Sequence, residues 1–173
     1  FDALGGTMAT WAGQNVGAGK LDRVRVGARY ANMIGFVYSL AAFVILFFFG
    51  KSIALLFVDA GETVILDQSW MYLVGNSLFF IPLVLVNVLR FSIQGMGYSK
   101  FAILAGVCEM VGRSVVGFCL VPIFGYPVVC IGSPVAWICA DLFLVPAFHS
   151  CLRKLSVLFG TEKMETSLER SIG

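Results

Sequence analysis

The hydrophobic residues of the chain fall into long continuous runs separated by short polar segments. A helix that crosses about 30 Å of hydrocarbon needs about 20 mostly apolar residues. Four runs meet this requirement: residues 30–50, 70–89, 101–121 and 127–148. Because apolar and polar residues do not alternate within these runs, they are unlike the strands of a membrane barrel. The pattern predicts an all-α integral membrane protein, a polytopic helix bundle.

The chain begins within a hydrophobic segment, and residues 1–18 predict the end of a fifth helix. This segment lacks the charged region, short apolar core and cleavage site that characterise a signal peptide. We therefore expect the sequence to be a fragment whose N-terminal part is missing. We expect residues 1–155 to form a membrane lobe and residues 156–173 to form a cytoplasmic polar tail.

The composition supports the membrane class and excludes several others. Hydrophobic residues make up 59% of the chain and charged residues 13%, with a mean hydropathy of +0.91, whereas a soluble domain is about 45–50% apolar and about 25% charged. The net charge of +2 is too balanced for a nucleic-acid-binding protein. The five cysteines show no C-x-x-C spacing and His149 is the one histidine, so neither a metal site, a cofactor nor a self-contained enzyme is predicted.

Positive charge is distributed unevenly between the two predicted faces of the membrane. One face carries only Lys51, and the other carries ten basic residues: Lys20, Arg23, Arg25, Arg29, Arg90, Lys100, Arg153, Lys154, Lys163 and Arg170. Cytoplasmic loops are enriched in Lys and Arg, so the face with ten basic residues is predicted to be cytoplasmic. We expect a multi-pass protein of the cell membrane (inner or plasma) with a cytoplasmic C-terminus.

Three ionisable residues lie inside the predicted spans, where an unpaired charge is costly and often functional. Glu109 and Arg113 are four residues apart and share a helix face, so they are predicted to form an intramembrane ion pair with either a structural or a gating role. Asp141 has no partner within its own helix. We expect it either to line an aqueous cavity or to bond a neighbouring helix.

Neutral polar residues distinguish the span at residues 70–89. Asn76 and Asn87 lie on either side of Pro82, which removes a backbone hydrogen bond and bends a helix. Bent helices near the middle of the membrane often line transporter cavities. Asn76 and Asn87 are therefore, with Asp141, the candidates for a transport cavity.

A glycine-rich motif at the end of the first segment contains Gln14, Asn15, Gly17 and Gly19. Its glycine spacing differs by one residue from that of a phosphate-binding loop, and a leucine follows the lysine where such a loop has Ser or Thr. The motif instead predicts the C-terminal end of a helix near the cytoplasmic headgroups. Small residues also recur every four positions in this helix and predict close packing against another helix: Gly5, Ala9, Gly13 and Gly17.

Five segments stand in a characteristic order along the chain: residues 9–23 (ATWAGQNVGAGKLDR), 56–59 (LFVD), 94–99 (QGMGYS), 106–113 (GVCEMVGR) and 133–137 (SPVAW). Through them the chain resembles the C-terminal half of a multidrug and toxic compound extrusion (MATE) transporter, particularly of the bacterial type. The resemblance covers nearly the whole chain except the polar tail from about residue 160.

The resemblance implies a twelve-helix antiporter built of two six-helix lobes, of which this chain supplies the end of helix eight and helices nine to twelve. Such transporters use a sodium or proton gradient to export small organic, often cationic, compounds. The implied partners are membrane lipid, those substrates and the missing N-terminal lobe of the same chain, and no nucleic acid. Some members carry an acidic cation ligand in the tenth helix, where this chain has only Asn76 and Asn87. Either the coupling carboxylate lies in the missing lobe, or this protein couples differently.

Two other functions are weighed against efflux. A lipid-linked precursor flippase of the same superfamily is expected to have cationic residues in its cavity-facing helices, and only Arg113 lies in a predicted span. A non-transporting membrane scaffold or sensor is expected to carry a folded soluble domain, for which the tail after Leu155 is too short.

Overall fold

The chain is mostly helical in the part that the computed structural model describes, which is residues 1–59 and 61–160, with the backbone of the last helix described as far as Ile172. No strand occurs in these residues, and the prediction of an all-α bundle is confirmed. In chain order the helices are α1 (Asp2–Gly17), α2 (Leu21–Ala54), α3 (Thr63–Ser77), α4 (Phe80–Gly95), α5 (Ser99–Val115), α6 (Val121–Phe124) and α7 (Tyr126–Ile172), with a π-helical turn (Val116–Leu120) between α5 and α6.

Within the described residues, three helical segments are long and apolar enough to cross a membrane: Leu21–Ala54, Ser99–Phe124 and Tyr126–Gly160. Helices α3 and α4 make a fourth if they act together as one span. In the most apolar 18-residue window of α2, only 17% of the residues are buried inside the structure. Most of this hydrophobic surface is therefore available for contact with lipid.

The span predicted at residues 70–89 is broken. Helix α3 ends at Ser77, α4 begins at Phe80, and the two helices meet at a bend of 53°. Pro82 has no backbone N–H and cannot bond the carbonyl of Leu78, so the helical hydrogen-bond ladder is interrupted. The expected bend is present, but the two non-helical residues precede the proline.

Helix α4 packs against α1, α2, α5 and α7. Its contact with α1 is made through small residues. A Cβ atom on Gly95 would overlap the backbone of Ala9, a Cβ atom on Gly13 would lie 3.3 Å from the carbonyl oxygen of Gly95, and Gly5 lies against an aromatic ring of α4. The predicted packing of the small-residue stripe is confirmed at its first three positions. A Cβ atom on Gly17 would meet no atom within 4 Å.

The α1–α2 and α4–α5 turns lie at one end of the bundle, here called the basic end, and the α2–α3 and α6–α7 connections lie at the opposite end. In both turns at the basic end a glycine has positive φ, +66° at Gly19 and +88° at Gly97. Each glycine N–H bonds the carbonyl three residues earlier, and the next N–H bonds the carbonyl five residues earlier. This pattern is the Schellman motif, which favours glycine because it has no Cβ atom.

The break predicted between the last two spans is also present, with Gly125 at φ +71° between α6 and α7. Aromatic side chains connect helices near this opposite end. The indole N–H of Trp70 donates to a carbonyl oxygen of α2 at 3.3 Å. The hydroxyl of Tyr126 donates to a carbonyl oxygen of α3 at 3.0 Å. Trp and Tyr are typical of membrane–water interfaces, where their rings meet lipid and their polar atoms find partners.

Candidate functional site

Four charged side chains from three helices form a charge cluster, which we define as Arg90, Glu109, Arg113 and Asp141. Arg90 of α4 donates from Nη2 to Oε1 of Glu109 in α5. Nη2 of Arg113, one helical turn further along α5, lies 3.7 Å from Oε2 of the same carboxylate. Asp141, whose Oδ1 is buried, lies on α7, which packs against both α4 and α5. The Glu109 carboxylate therefore interacts with one guanidinium group from a neighbouring helix and one from its own helix.

The direction of the side chains explains why Arg90 and Glu109 meet. Arg90 lies five residues, about 8 Å, before the end of α4, and Glu109 lies ten residues, about 15 Å, after the start of α5. Helical side chains tilt towards the N-terminus of their own helix. Because α4 and α5 are antiparallel, Arg90 points away from the basic end and Glu109 points back towards it. The long arginine side chain covers the remaining difference in depth.

A close contact between α5 and α7 brings Asp141 near this pair. A Cβ atom on Gly112 would lie 3.1 Å from the Cα atom of Ala136. Glycine at this position lets the two backbones approach, as small residues do between membrane helices. Asp141 follows Ala136 by five residues and Glu109 precedes Gly112 by three. Because α5 and α7 run in opposite directions, both carboxylates lie on the same side of this contact, at similar depth in the bundle.

The pairing within the charge cluster is uneven. Glu109, with 15% of its side chain exposed, has two arginines as partners. Arg90 is 26% exposed and Arg113 is 54% exposed. Among the described residues, Nε of Arg90 and Oδ1 of Asp141 are buried and have no hydrogen-bond partner. This arrangement therefore leaves one donor and one acceptor unsatisfied, and each buried polar atom without a partner costs about 1–3 kcal/mol.

Only part of this cluster follows from the sequence. The predicted partners Glu109 and Arg113 do lie within ion-pair distance. Arg90 is expected in a loop, because the apolar run ends just before it, but it is a residue of α4 and bonds Glu109 directly. The sequence signal for Arg90 is its position shortly before the glycine turn at Gly97. A short turn between antiparallel helices brings the residues before it close to the first turns of the next helix. No partner for Oδ1 of Asp141 on a neighbouring helix is found in the described part.

The two predicted cavity asparagines lie in the two halves of the broken span. Asn76 is 8% exposed near the end of α3 and donates from Nδ2 to the carbonyl of Tyr72 at 2.9 Å. Asn87 is 9% exposed in α4 and donates to the carbonyl of Leu83 at 2.9 Å. Both amide groups thus bond the preceding turn of their own helix.

A groove lies beside the break, between α2 and the α3–α4 pair. It consists of two adjoining cavities of about 190 Å³ and about 250 Å³ that share Phe36 and Ile81. Its walls are mostly apolar, and Ser39 and Ser77 contribute hydroxyls whose hydrogens bond carbonyls of their own helices. The remaining lining residues are Asn32, Leu40, Phe43, Leu78, Val84 and Leu85.

The glycine-rich motif forms the end of α1. The backbone carbonyl of Gln14 accepts a hydrogen bond from the N–H of Ala18 at 3.1 Å, and that of Asn15 accepts one from the N–H of Lys20 at 2.8 Å. Gly17 is the last residue of α1, and Gly19 has the positive φ of the Schellman turn described above. Phosphate loops instead present N–H groups at the start of a helix. The motif therefore has the geometry of a helix C-terminus and lacks that of a phosphate loop.

A comparison with protein-family models decides the family. The MatE model matches residues 3–119, which is more than half of the chain. The chain belongs to the MATE family. No match was found among curated proteins or among solved structures.

Membership of the MATE family, whose members are typically not enzymes, makes this a transporter-type membrane protein. The matched region contains Arg90, Glu109 and Arg113 and ends before Asp141. The MATE match therefore covers α1 to α5, including the broken span and both Schellman turns.

Proposed function

We propose that the chain forms most of one lobe of a secondary active efflux transporter, which exports organic, often cationic, compounds in exchange for sodium ions or protons. The observation that carries this proposal is the MatE match across the helices that contain the broken span. Interrupted helices supply the substrate and ion sites of many secondary transporters, because the interruption exposes polar backbone groups within the membrane.

The groove beside the break is suited to part of such a substrate. Its aromatic and aliphatic walls favour an apolar ring or chain. The groove itself has few polar groups to select one compound over another, which fits a transporter with many substrates.

We assign candidate roles along the transport path to Asn76, Asn87 and Asp141. The two asparagines lie on the two sides of the break, and Asp141 presents a buried carboxylate oxygen without a partner among the described residues. The broken span has an acid only at Asp67, which is 68% exposed and pairs with Lys51 at the opposite end. Asp141 is accordingly our candidate for interaction with cations in this lobe, alongside coupling groups elsewhere in the full-length protein.

A flippase for lipid-linked precursors is less well supported than efflux. Such a protein needs cationic side chains free to bind phosphate groups. The two arginines of the charge cluster, Arg90 and Arg113, both interact with Glu109, which neutralises much of their field.

The proposal is tested with the full-length protein, as its gene encodes it, in inside-out membrane vesicles. A fluorescent organic cation should accumulate in the vesicles when a sodium or proton gradient is imposed, and an ionophore that collapses the active gradient should abolish accumulation. Asp141→Asn should lower the initial rate at least several-fold, whereas Asp67→Asn, an acid-to-amide change at the exposed end, should leave it near wild type. Failure of the wild type to accumulate any of a panel of organic cations under either gradient, or movement of lipid-linked sugars instead, would refute efflux.

A further inference from the structure

We propose that Arg90 is a positioning residue that exchanges partners: it binds Glu109 in the arrangement described here and Asp141 in a second arrangement, while Arg113 keeps Glu109 paired. The inference deepens the proposed transport function and rests on it for its role in the cycle. Its physical basis lies in the charge cluster alone.

The first argument is the complementarity of the two unsatisfied atoms. Nε of Arg90 can only donate a hydrogen bond, and Oδ1 of an ionised Asp141 can only accept one. Both are buried, both lack a partner among the described residues, and the helices that carry them, α4 and α7, pack against each other. A contact between them would satisfy both atoms at once.

The second argument is charge balance. In the present arrangement Glu109 has two guanidinium groups as partners, and Asp141 has no hydrogen-bonded one among the described residues. After exchange each carboxylate would have one guanidinium group. The four charges sum to zero in both arrangements, so the exchange requires no ion to enter or leave. Arg113, at 3.7 Å and 54% exposed, has room to approach Glu109 when Arg90 departs.

The third argument is the way in which the helices that carry these residues are joined. Arg90 lies in α4, between the 53° break that separates α4 from α3 and the basic end of the bundle. The turn at Gly97 joins α4 closely to α5, whereas along the chain α7 follows α5 only after the π-helical turn and α6. A shift of the α4–α5 pair along α7 would carry Arg90 towards or away from Asp141.

The exchange predicts opposite effects of two matched substitutions. Glu109→Gln removes the present partner of Arg90 and should favour the Arg90–Asp141 arrangement. Asp141→Asn removes the second partner and should favour the present arrangement. A purely structural cluster would respond to both changes in the same direction, because each would only loosen the packing.

The experiment measures the distance between spin labels on α4 and α7 in the full-length protein in lipid nanodiscs. Labels are attached to cysteines at the exposed positions Gln94 and Ser150, after replacement of all native cysteines. Two distance populations are expected, with the second enriched at least two-fold by Glu109→Gln and depleted at least two-fold by Asp141→Asn. Asp67→Asn, a control acid at the opposite end, should not change their ratio.

Shifts in the same direction, or a single distance that neither variant alters, would overturn the exchange. If Glu109→Gln does not give folded protein, Glu109→Asp withdraws the carboxylate by one methylene and should shift the ratio in the same direction as the amide. Because the readout is a distance, it does not depend on export. A wild type that exports nothing would therefore refute the transport function, and the two populations would still decide the exchange.

Discussion

Gly95 of α4 lies against the backbone of Ala9 in α1, with no space for even a methyl group between the two helices. Within a membrane, helices gain little from burying apolar surface and associate through such close backbone approaches. Since α4 also contacts α2, α5 and α7, this glycine fixes the position of the helix that carries Asn87 and Arg90.

Replacing Gly95 should therefore destabilise the lobe. Gly95→Ala forces α1 and α4 apart and should cost about 1–3 kcal/mol, as overpacking does in other cores. The midpoint of thermal unfolding of the purified full-length protein measures the loss. Gly6→Ala is the matched control, because a Cβ atom there meets no atom within 4 Å and alanine is the better helix former by about 1 kcal/mol. Equal losses in the two variants would contradict the close contact.

The two arginines of the charge cluster should differ in their importance for folding. Arg90→Gln removes the direct, mostly buried partner of Glu109 and should lower the free energy of unfolding by about 2–3 kcal/mol. Breaking a fully buried ion pair costs more, about 3–5 kcal/mol. Arg113→Gln removes a partner at 3.7 Å that is 54% exposed and should cost no more than about 1 kcal/mol. Thermal unfolding and the yield of folded protein measure both effects. A larger loss for Arg113→Gln would show that the pairing is assigned the wrong way round.

The distribution of basic residues predicts the orientation. A cysteine at Gly61, at the opposite end, should react with a membrane-impermeant maleimide on intact cells, whereas a cysteine at Ser99, at the basic end, should react only after permeabilisation. Both positions are exposed, and the background lacks native cysteines. Labelling of Ser99→Cys on intact cells would reverse the orientation.

Gly125 should not tolerate a side chain. Its φ of +71° and ψ of −151° fall in a region that is essentially restricted to glycine. Gly125→Ala should therefore cost about 1–3 kcal/mol, even though a Cβ atom would meet no other atom within 4 Å. Thermal unfolding again measures the loss. A neutral result would mean that the connection between α6 and α7 can take up another backbone conformation.

The number and placement of the long helices could be predicted because the thickness of the membrane sets the length of an apolar run. Turns could be predicted for a similar local reason, since Gly19 and Gly97 carry the backbone conformation that ends each helix. The bend near Pro82 follows from the missing N–H of one residue.

The charge cluster could be predicted only at the Glu109–Arg113 pair, whose spacing is a property of one helix. The contact of Arg90 with Glu109 depends on how far α4 extends beyond its apolar run and on the register of two antiparallel helices. The unsatisfied atoms of Arg90 and Asp141 depend on the packing of three helices at once. Neither the register nor that packing can be inferred from hydropathy.

The paired Schellman turns at Gly19 and Gly97 have a mechanical consequence. Each turn joins its helices through backbone hydrogen bonds over only three residues, Ala18–Lys20 and Met96–Tyr98. Such a short, internally bonded turn leaves few free dihedral angles, so α1–α2 and α4–α5 should each behave as a stiff hairpin. The lobe then resembles two rigid hairpins lying beside a rod, α7, and its low-energy deformation is the sliding of whole hairpins past one another.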